Sequence, residues 1–246
     1  MQTVFSQFIS SRQETIVLEM VKPLAGESLL HVGCGAGELA RLFQLKKCLV
    51  TGLDASPDLL AKARMNLGVQ CELVEGDIEN LPFSDNEYDV TVIIFRPGIM
   101  GDPYKAIAEA VRVSRKRVFI GFYNRHSFVG TEQAIREFLG VPADSAMRFF
   151  GIGEMKFMVN QIMGNSHLTW GSVLCLPVPF CRIFSEVEEL FPMKNNPLGA
   201  FAGIVFPVYY TYRTLQKPLI SKLDLKAGAS VTVPETVRNM LRKGNG

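Results

Sequence analysis

Residues 28–37, SLLHVGCGAG, decide the fold of this chain. The apolar run SLLHVG predicts a buried strand, and the continuation GAGELARLFQL predicts a glycine turn that opens a helix. Residues 48–54, CLVTGLD, predict a second strand that ends in an acid. Strand, turn, helix and strand make a βαβ unit, so we expect the two strands to be parallel.

The alternation of strand and helix patterns continues as far as Asn124. Parallel strands that alternate with helices build an open sheet covered on both faces, so the sequence predicts a Rossmann-like, doubly wound α/β fold. Its mostly parallel sheet is expected to have seven strands, the last two forming an antiparallel hairpin at one edge. The other predicted helices span 12–22, 56–67 and 102–113, and the other predicted strands span 71–77, 88–95, 116–124, 167–176 and 199–208.

The chain has 246 residues, which is enough for one α/β domain with an elaboration. We expect this domain to cover residues 1–216. The pattern loosens after Asn124, which predicts a helical lid insertion at about 125–147 and a second insertion at about 177–197. The polar stretch 217–246 is predicted to be a C-terminal tail.

The charge and cysteine content exclude several classes of protein. A net charge of +2 with 20% charged residues gives no basic excess for nucleic acid, so a small molecule is the expected partner. The five cysteines include no CxxC pair and no histidine in zinc spacing, which argues against a disulfide framework and against a metal site. Reduced cysteines favour a cytoplasmic location.

The apolar content is high but is not concentrated in a membrane span. The longest apolar stretch, 199–210, contains Pro207 and falls well short of the roughly 20 residues that a transmembrane helix needs. A mean hydropathy of +0.16 predicts instead an apolar cavity, a subunit interface or peripheral contact with lipid. The sequence leaves the oligomeric state open.

Three glycines, Gly33, Gly35 and Gly37, follow the first strand in GxGxG spacing. Glycines at this point let the backbone turn sharply and approach a ligand closely. The dinucleotide fingerprint GxGxxG would need glycine at position 38, where this chain has Glu38, so a nicotinamide-dependent dehydrogenase is disfavoured. Asp54 closes the second strand, where a carboxylate can accept hydrogen bonds from a ribose diol; alternatively, it caps the following helix.

The segment LLHVGCGAGELA resembles the first motif of class I S-adenosylmethionine-dependent methyltransferases, and the resemblance covers residues 28–124. It is closest in character to the small-molecule, type 11-like branch. IFRPG after the fourth strand differs from the NPPY-type tetrapeptide of the amino-methylating DNA and glutamine enzymes. The resemblance implies S-adenosylmethionine as cofactor and S-adenosylhomocysteine as product. It also implies cofactor contacts at His31, Gly33, Cys34, Gly35, Gly37, Asp54, Ala55, Asp77, Ile78 and Phe95.

Two of these contacts have particular interpretations. Asp77 stands where the family uses an acid to accept a hydrogen bond from the adenine amino group, with the next residue, Ile78, packing on the ring; alternatively, Asp77 is an ordinary turn residue. His31 departs from the family, which carries Asp or Glu at this position to hold the methionine end. A neutral imidazole can accept a hydrogen bond there or contact the cofactor through water, whereas a protonated one would repel the sulfonium.

The sequence carries weaker signals for the residues that contact the methyl acceptor than for those that contact the cofactor. Methyl transfer from a sulfonium requires alignment more than it requires a strong base, so the need for a catalytic residue is open. The candidate bases are His126 and His167, each of which can alternatively be structural. Residues expected to line the acceptor pocket are Arg96, Tyr123, Asn124 and Arg125. Arg96 would meet an anionic substrate or pair with a surface acid.

The aromatic and methionine residues of 147–163 either pack in the core or roof an apolar acceptor site. We expect a methyltransferase that acts on a small, apolar or aromatic acceptor. The alternative from another class is a catalytically silent module that binds S-adenosylmethionine or a partner, and the departure at His31 motivates it.

Overall fold

A mixed sheet forms the centre of the molecule in a computed structural model that describes residues 2–96, 101–140, 148–164, 166–175 and 193–208. Its five central parallel strands are β1 (Ser28–Val32), β2 (Leu49–Asp54), β3 (Glu72–Glu75), β4 (Tyr88–Phe95) and β5 (Ser114–Asn124). They are followed along the chain by β6 (Phe149–Phe150), β7 (Thr169–Val173) and β8 (Phe201–Pro207).

The strand order is β3-β2-β1-β4-β5-β8-β7, with β6 paired beside the end of β5. β8 runs antiparallel to both β5 and β7, so the last two strands of this path form the predicted hairpin at the sheet edge. The predicted Rossmann-like sheet of seven mostly parallel strands is confirmed, and β6 adds a two-residue eighth strand. β4 is buried along almost its whole length because helices cover both faces of the sheet.

Six helices surround the sheet in the described part of the chain: α1 (Gln2–Val21), α2 (Glu38–Leu45), α3 (Pro57–Leu67), α4 (Pro103–Val113), α5 (Phe128–Phe138) and α6 (Ile152–Met163). Two of them begin as their sequences predict. Ser56 accepts a hydrogen bond from the amide of Leu59 at the start of α3, and Asp102 accepts one from Tyr104 at the start of α4. In both helices proline occupies the first turn, where its missing N–H costs nothing.

Each face of the sheet has its own apolar core. On one face, Ile16 and Val17 of α1 pack with Phe43 of α2 and Phe119 of β5. On the other face, residues of α4 and α6 pack against β1, β4 and β5, with Ile107 and Met155 fully buried. The leading helix α1 and the helix α2, which follows the glycine loop, therefore pack on the same face of the sheet.

Two predicted elements have different limits in the structure. The leading helix begins at Gln2 rather than at residue 12, and Ile9 packs against the core. The amphipathic pattern of residues 148–164, RFFGIGEMKFMVNQIMG, predicts one helix over the whole stretch. The helix begins only at Ile152, because Phe149 and Phe150 pair with Tyr123 and Asn124 of β5 as β6. A two-residue strand carries no period that distinguishes it from the start of a helix.

The predicted lid insertion contains α5, whereas residues 141–147 lie outside the described residues. The same is true of residues 177–192 of the predicted second insertion and of the predicted tail. Within the described ranges, no helix combines the length and the apolar character that crossing a bilayer requires.

Candidate active site at the carboxyl edge of the sheet

The five parallel strands bring their carboxyl ends to one edge of the sheet. The register pairs Val32 with Leu53 and Phe95 with Phe122, so the residues after β1, β2, β4 and β5 are neighbours. Ligands of open α/β sheets bind at this edge, in the crevice next to the first strand. The residues that follow these four strands therefore lie close together at this edge.

The glycine loop follows β1 and turns back towards β2. The amides of Gly33 and Cys34 both donate to the carbonyl of Leu53, at 2.7 and 2.9 Å. Gly37 has φ 87°, and a β-carbon there would lie 2.8 Å from Cδ1 of Leu67. Only glycine therefore allows α2 to start this close to α3.

Asp54 is buried and ties the glycine loop to the start of α3. Its Oδ2 accepts a hydrogen bond from the amide of Gly35 at 2.8 Å, and its Oδ1 accepts one from the amide of Ser56 at 3.0 Å. A carboxylate has about four acceptor positions, so two remain for a ligand. Asp54 thus has the predicted position beside the loop and also a structural role in holding it; Ala55 follows it as an exposed residue.

The loop after β3 carries Asp77 and Ile78. Asp77 is exposed, and its Oδ1 accepts a hydrogen bond from the amide of Glu79 at 2.9 Å. Asp77 therefore stabilises a turn, in agreement with the second interpretation, and its other carboxylate oxygen is available to a ligand. Ile78 is buried and lines a small cleft together with Phe95, Arg96 and Phe150. Ile78 and Phe95, which the sequence predicts as cofactor contacts, therefore share one surface.

A cluster on α4 anchors this loop. The guanidinium of Arg112 donates to the carbonyls of Leu81 and Phe83, at 3.0 and 2.8 Å, and to the carboxylate of Glu109. Glu109 in turn accepts a hydrogen bond from the amide of Leu81 at 2.9 Å. The hydrogen bond from Arg112 lowers the pKa of Glu109, so both groups are charged at neutral pH.

A cavity of about 450 Å³ opens between α1, the glycine loop and the end of β4. One wall comes from α1, which contributes Ser10, Ser11, Gln13, Glu14 and Val17. The opposite wall comes from β1, the glycine loop, α2 and β4, which contribute His31, Cys34, Glu38, Leu39, Ile94 and Arg96. The cavity has the size that small-molecule ligands occupy.

His31 lines this cavity from the middle of the sheet. Its side chain is 1% exposed, and neither ring nitrogen has a hydrogen-bond partner among the described residues. Burial, and then the charge of Arg96, lowers the pKa of His31 to about 3. The imidazole is therefore neutral at physiological pH, so the repulsion of a sulfonium considered from the sequence does not arise.

Arg96, directly after β4, lies against the glycine loop. Its guanidinium donates a hydrogen bond to the carbonyl of Gly33, and it lines both the cavity beside His31 and the cleft beside Ile78. The sequence predicted Arg96 for the acceptor side. The structure places it next to the glycine loop, where it lines both cavities.

Cys34 is buried within the loop. Burial, followed by the charges of Asp54 and Cys71, raises the pKa of Cys34 to about 12. A thiol with such a pKa is not a nucleophile at neutral pH. Its small side chain packs below Gly52 of β2, where a β-carbon at position 52 would lie 2.9 Å from its sulfur.

Three residues at the end of β5 were predicted to line an acceptor pocket, and the structure separates them. The hydroxyl of Tyr123 accepts a hydrogen bond from Gln13 of α1 at 3.3 Å, which places it beside the cavity wall. Arg125 is exposed and pairs with Glu154 of α6 at 3.3 Å. Asn124 is 0% exposed and donates to the carbonyls of Pro197 and Gly199, so its amide ties the end of β5 to the segment before β8.

The two candidate bases lie in different places. His126 is exposed just past β5, near Gly151 at the start of α6. His167 precedes β7, and the register of β7 with β8 and of β8 with β5 puts Thr169 level with Phe119. The start of β7 therefore points away from the carboxyl edge, and the structure does not bring His167 to the site.

The site residues predicted from the sequence do not include the wall of the cavity that α1 forms. Ser10, Glu14 and Val17 repeat at helical spacing, so they share one face of α1. The signal available in the sequence was a stripe of polar residues on α1 beside its apolar stripe. Of the residues in 147–163, Phe150 and Met155 are core residues and Phe157 is exposed, whereas Met147 lies outside the described residues.

Fold and site together define a Rossmann-like α/β domain with a ligand-binding edge at its glycine loop. Residues 29–117 match the family model of a methyltransferase domain. This part of the chain is similar to class I S-adenosylmethionine-dependent methyltransferases, whose cofactor is S-adenosylmethionine.

Individual relatives agree with this assignment. The chain is 34% identical over 96 residues to a phosphatidylethanolamine N-methyltransferase of Cereibacter sphaeroides, covering 37% of this chain and 47% of that protein. It is 31% identical over 105 residues to a demethylmenaquinone methyltransferase of Thermotoga maritima, covering 41% and 44%. In both cases the matched segment spans less than half of the relative.

Among solved structures, a SAM-dependent methyltransferase of Thermotoga maritima superimposes with a TM-score of 0.62 at 21% identity. The superposition covers 81% of this chain and 90% of that one. At this identity the likeness supports the fold, which extends well beyond the segment matched by sequence.

Proposed function

We propose that this chain is a methyltransferase that transfers the methyl group of S-adenosylmethionine to a small, apolar or aromatic acceptor. The observation that carries the proposal is the cavity of about 450 Å³ beside a glycine loop whose Gly35 amide is held by Asp54. Asp54 retains acceptor positions for a ribose, and the buried, unpartnered nitrogens of His31 face the cavity.

Bound S-adenosylmethionine supplies a methyl group already activated on a sulfonium. The residues of this chain then need to bind, orient and exclude water, because alignment of the acceptor is the main requirement of such a transfer. Asp54 and the glycine loop would hold the nucleoside, with Ile78 and Phe95 as the apolar surface for the base. His126, the candidate that remains near this edge, would serve an acceptor that must lose a proton.

The apolar acceptor class is supported by α5, which follows the end of β5. Phe128, Ile135 and Phe138 are exposed by 56, 54 and 89%, and their spacing puts them on one face of the helix. An exposed apolar helix face next to a ligand edge is suited to cover an apolar ligand. The names of the relatives include a quinone and a lipid as acceptors, which agrees with this class.

The transfer can be tested with S-adenosylmethionine carrying a labelled methyl group and three acceptors: a demethylated quinone, a phenol and a phospholipid in vesicles. We expect label in one of these products, and loss of the label with Asp54→Ala. Binding of cofactor without transfer to any acceptor class would contradict the proposal and leave a binding function.

The proposed lid, residues 125–147, can be tested separately. Phe138→Ser is expected to raise the KM for the acceptor several-fold without changing the KM for the cofactor, because only the acceptor would contact α5. Leu45→Ser, which changes an exposed apolar residue on α2, is the control. Hydrogen exchange across α5 that is the same in the free protein and in the complex with cofactor and acceptor would contradict the lid.

A further inference from the structure

We propose that Glu14, on the leading helix α1, binds the ammonium group of the cofactor's methionine end, in place of the acid that this chain lacks at position 31. The inference rests on the proposed function and adds a residue to its binding site. No feature of the loop sequence points to it, because Glu14 lies 19 residues before Gly33 and meets the loop only in the folded chain.

The carboxylate of Glu14 has an unusual environment for a helix residue. It lines the cavity opposite the glycine loop, and it takes part in none of the ion pairs found among the described residues. Burial, and after it the charge of Glu38, raises the pKa of Glu14. Two carboxylates thus face one cavity, and the nearby negative charge that raises this pKa would favour a bound cation.

A second observation marks the same cavity as a site for a polar ligand. His31 is 1% exposed, lines the cavity, and leaves both ring nitrogens without a partner. Buried polar atoms are rarely left unsatisfied, so a ligand group is expected to complete their hydrogen bonds. A neutral imidazole can accept a hydrogen bond from an ammonium, but it cannot neutralise the charge, so a carboxylate is still required.

Arg96 completes the charge pattern. Its guanidinium lies on the opposite side of the cavity from α1, beside the glycine loop. A cavity with the carboxylate of Glu14 on one wall and the guanidinium of Arg96 on the other matches an α-amino acid zwitterion, whose ammonium and carboxylate stand on one carbon. The methionine end of the cofactor is such a zwitterion.

The experiment compares two ligands in calorimetry. S-adenosylhomocysteine carries the amino acid end, whereas 5′-methylthioadenosine has the same nucleoside and lacks that end. We expect Glu14→Gln to weaken the binding of S-adenosylhomocysteine about tenfold, the scale of one charge-assisted hydrogen bond, and to leave 5′-methylthioadenosine unchanged. Glu19→Gln, an exposed change on the same helix, is the matched control and should affect neither ligand.

A rescue variant separates a binding role from a structural one. His31→Asp restores a carboxylate where the family carries it, so Glu14→Gln combined with His31→Asp should recover most of the lost affinity for S-adenosylhomocysteine. If Glu14→Gln weakens both ligands equally, or neither, the inference is overturned while the proposed function stands. A native protein that binds neither ligand overturns the proposed function itself.

Discussion

The guanidinium of Arg96 lies so close to Gly35 that a β-carbon at position 35 would come within 2.8 Å of its Nη2. The same guanidinium donates a hydrogen bond to the carbonyl of Gly33. Loop conformation and the position of Arg96 are therefore coupled, because a side chain at residue 35 and the present position of Arg96 exclude each other.

Gly35→Ala is expected to lower the free energy of unfolding by about 2 kcal/mol. Part of the loss arises because φ 58° is unfavourable for alanine, and part because the methyl group collides with Arg96. In an Arg96→Ala background only the backbone part should remain, about 1 kcal/mol. Urea denaturation measures both. Gly26→Ala, where φ is 84° and a β-carbon would meet nothing within 4 Å, is the control for the backbone part. Equal losses with and without Arg96 would contradict the coupling.

Asp54→Ala is expected to weaken S-adenosylhomocysteine binding by about 2 kcal/mol, the scale of charge-assisted hydrogen bonds to a diol. It should also lower the free energy of unfolding by roughly 1–3 kcal/mol, because the amides of Gly35 and Ser56 lose their acceptor. Calorimetry and thermal unfolding measure the two effects. Asp58→Ala, on the exposed side of α3, should leave the affinity unchanged. An affinity unchanged in folded Asp54→Ala would remove Asp54 from the site.

His31 should make the protein less stable at mildly acidic pH without making cofactor binding pH-dependent near neutrality. Its pKa is about 3 in the folded chain and near 6.5 when unfolded. The unfolded chain therefore takes up the proton first, and the contribution to stability is complete above pH 6.5 and is lost progressively as pH falls towards 3.

Relative to His31→Gln, which does not titrate, the native protein should lose about 1.4 kcal/mol of unfolding free energy for each pH unit below 6.5. Denaturant titrations at pH 7, 6 and 5 measure this difference, in which the other titrating groups cancel. S-adenosylhomocysteine affinity that falls steeply between pH 8 and 6 in the native protein and not in His31→Gln would show that the imidazole titrates in its ordinary range.

Glu27, which is buried, and Arg117, which is partly buried, form an ion pair at the opposite edge of the sheet. Oε2 of Glu27, which is 5% exposed, lies 2.6 Å from Nη2 of Arg117, and Arg117 also donates to the carbonyl of Val21 at the end of α1. Burial alone would raise the pKa of Glu27, but the hydrogen bonds from Arg117 and Leu24 and the nearby positive charges lower it overall.

Glu27→Gln should lower the free energy of unfolding by about 3 kcal/mol at pH 7, because it leaves the guanidinium without its counter-charge. The carboxylate is stabilising above its ordinary pKa of about 4.5, so the difference between native and variant should shrink as pH falls below that value. Arg136→Ala, which breaks an exposed pair on α5, should cost under about 0.5 kcal/mol. Glu27→Gln should leave the cofactor affinity unchanged, because Glu27 lies at the edge of the sheet opposite the candidate site. A changed affinity would contradict this expectation.

The sheet and its binding edge could be predicted because their signals are local. An apolar strand, a glycine loop and an acid such as Asp54 all occur within a few residues of each other, and the parallel arrangement brings successive strand ends together. The end of α3 is likewise a local signal, because Gly68 directly follows its last residue, Leu67, and glycine commonly ends a helix.

The remaining features depend on contacts between distant parts of the chain. Asn124 resembles a pocket residue in sequence, but its amide is used by carbonyls more than 70 residues away, at Pro197 and Gly199. The pKa of His31 depends on its burial and on the charge of Arg96, which the sequence pattern alone does not reveal. His167 is kept away from the candidate site only by the direction of β7, which pairs antiparallel with β8. Glu14 lines the cavity only because α1 packs beside the glycine loop.

The anchoring of the Ile78 loop by Arg112 bears on the thermodynamics of recognition. Loop carbonyls at Leu81 and Phe83 and an amide at Leu81 are all bonded to α4 before any ligand arrives. The surface formed by Ile78 is thus preorganised, and binding a flat ring there requires little loss of backbone entropy. We therefore expect a nucleoside base to associate with this surface without a large unfavourable entropy of loop ordering, in contrast to ligands that must first fold their own site.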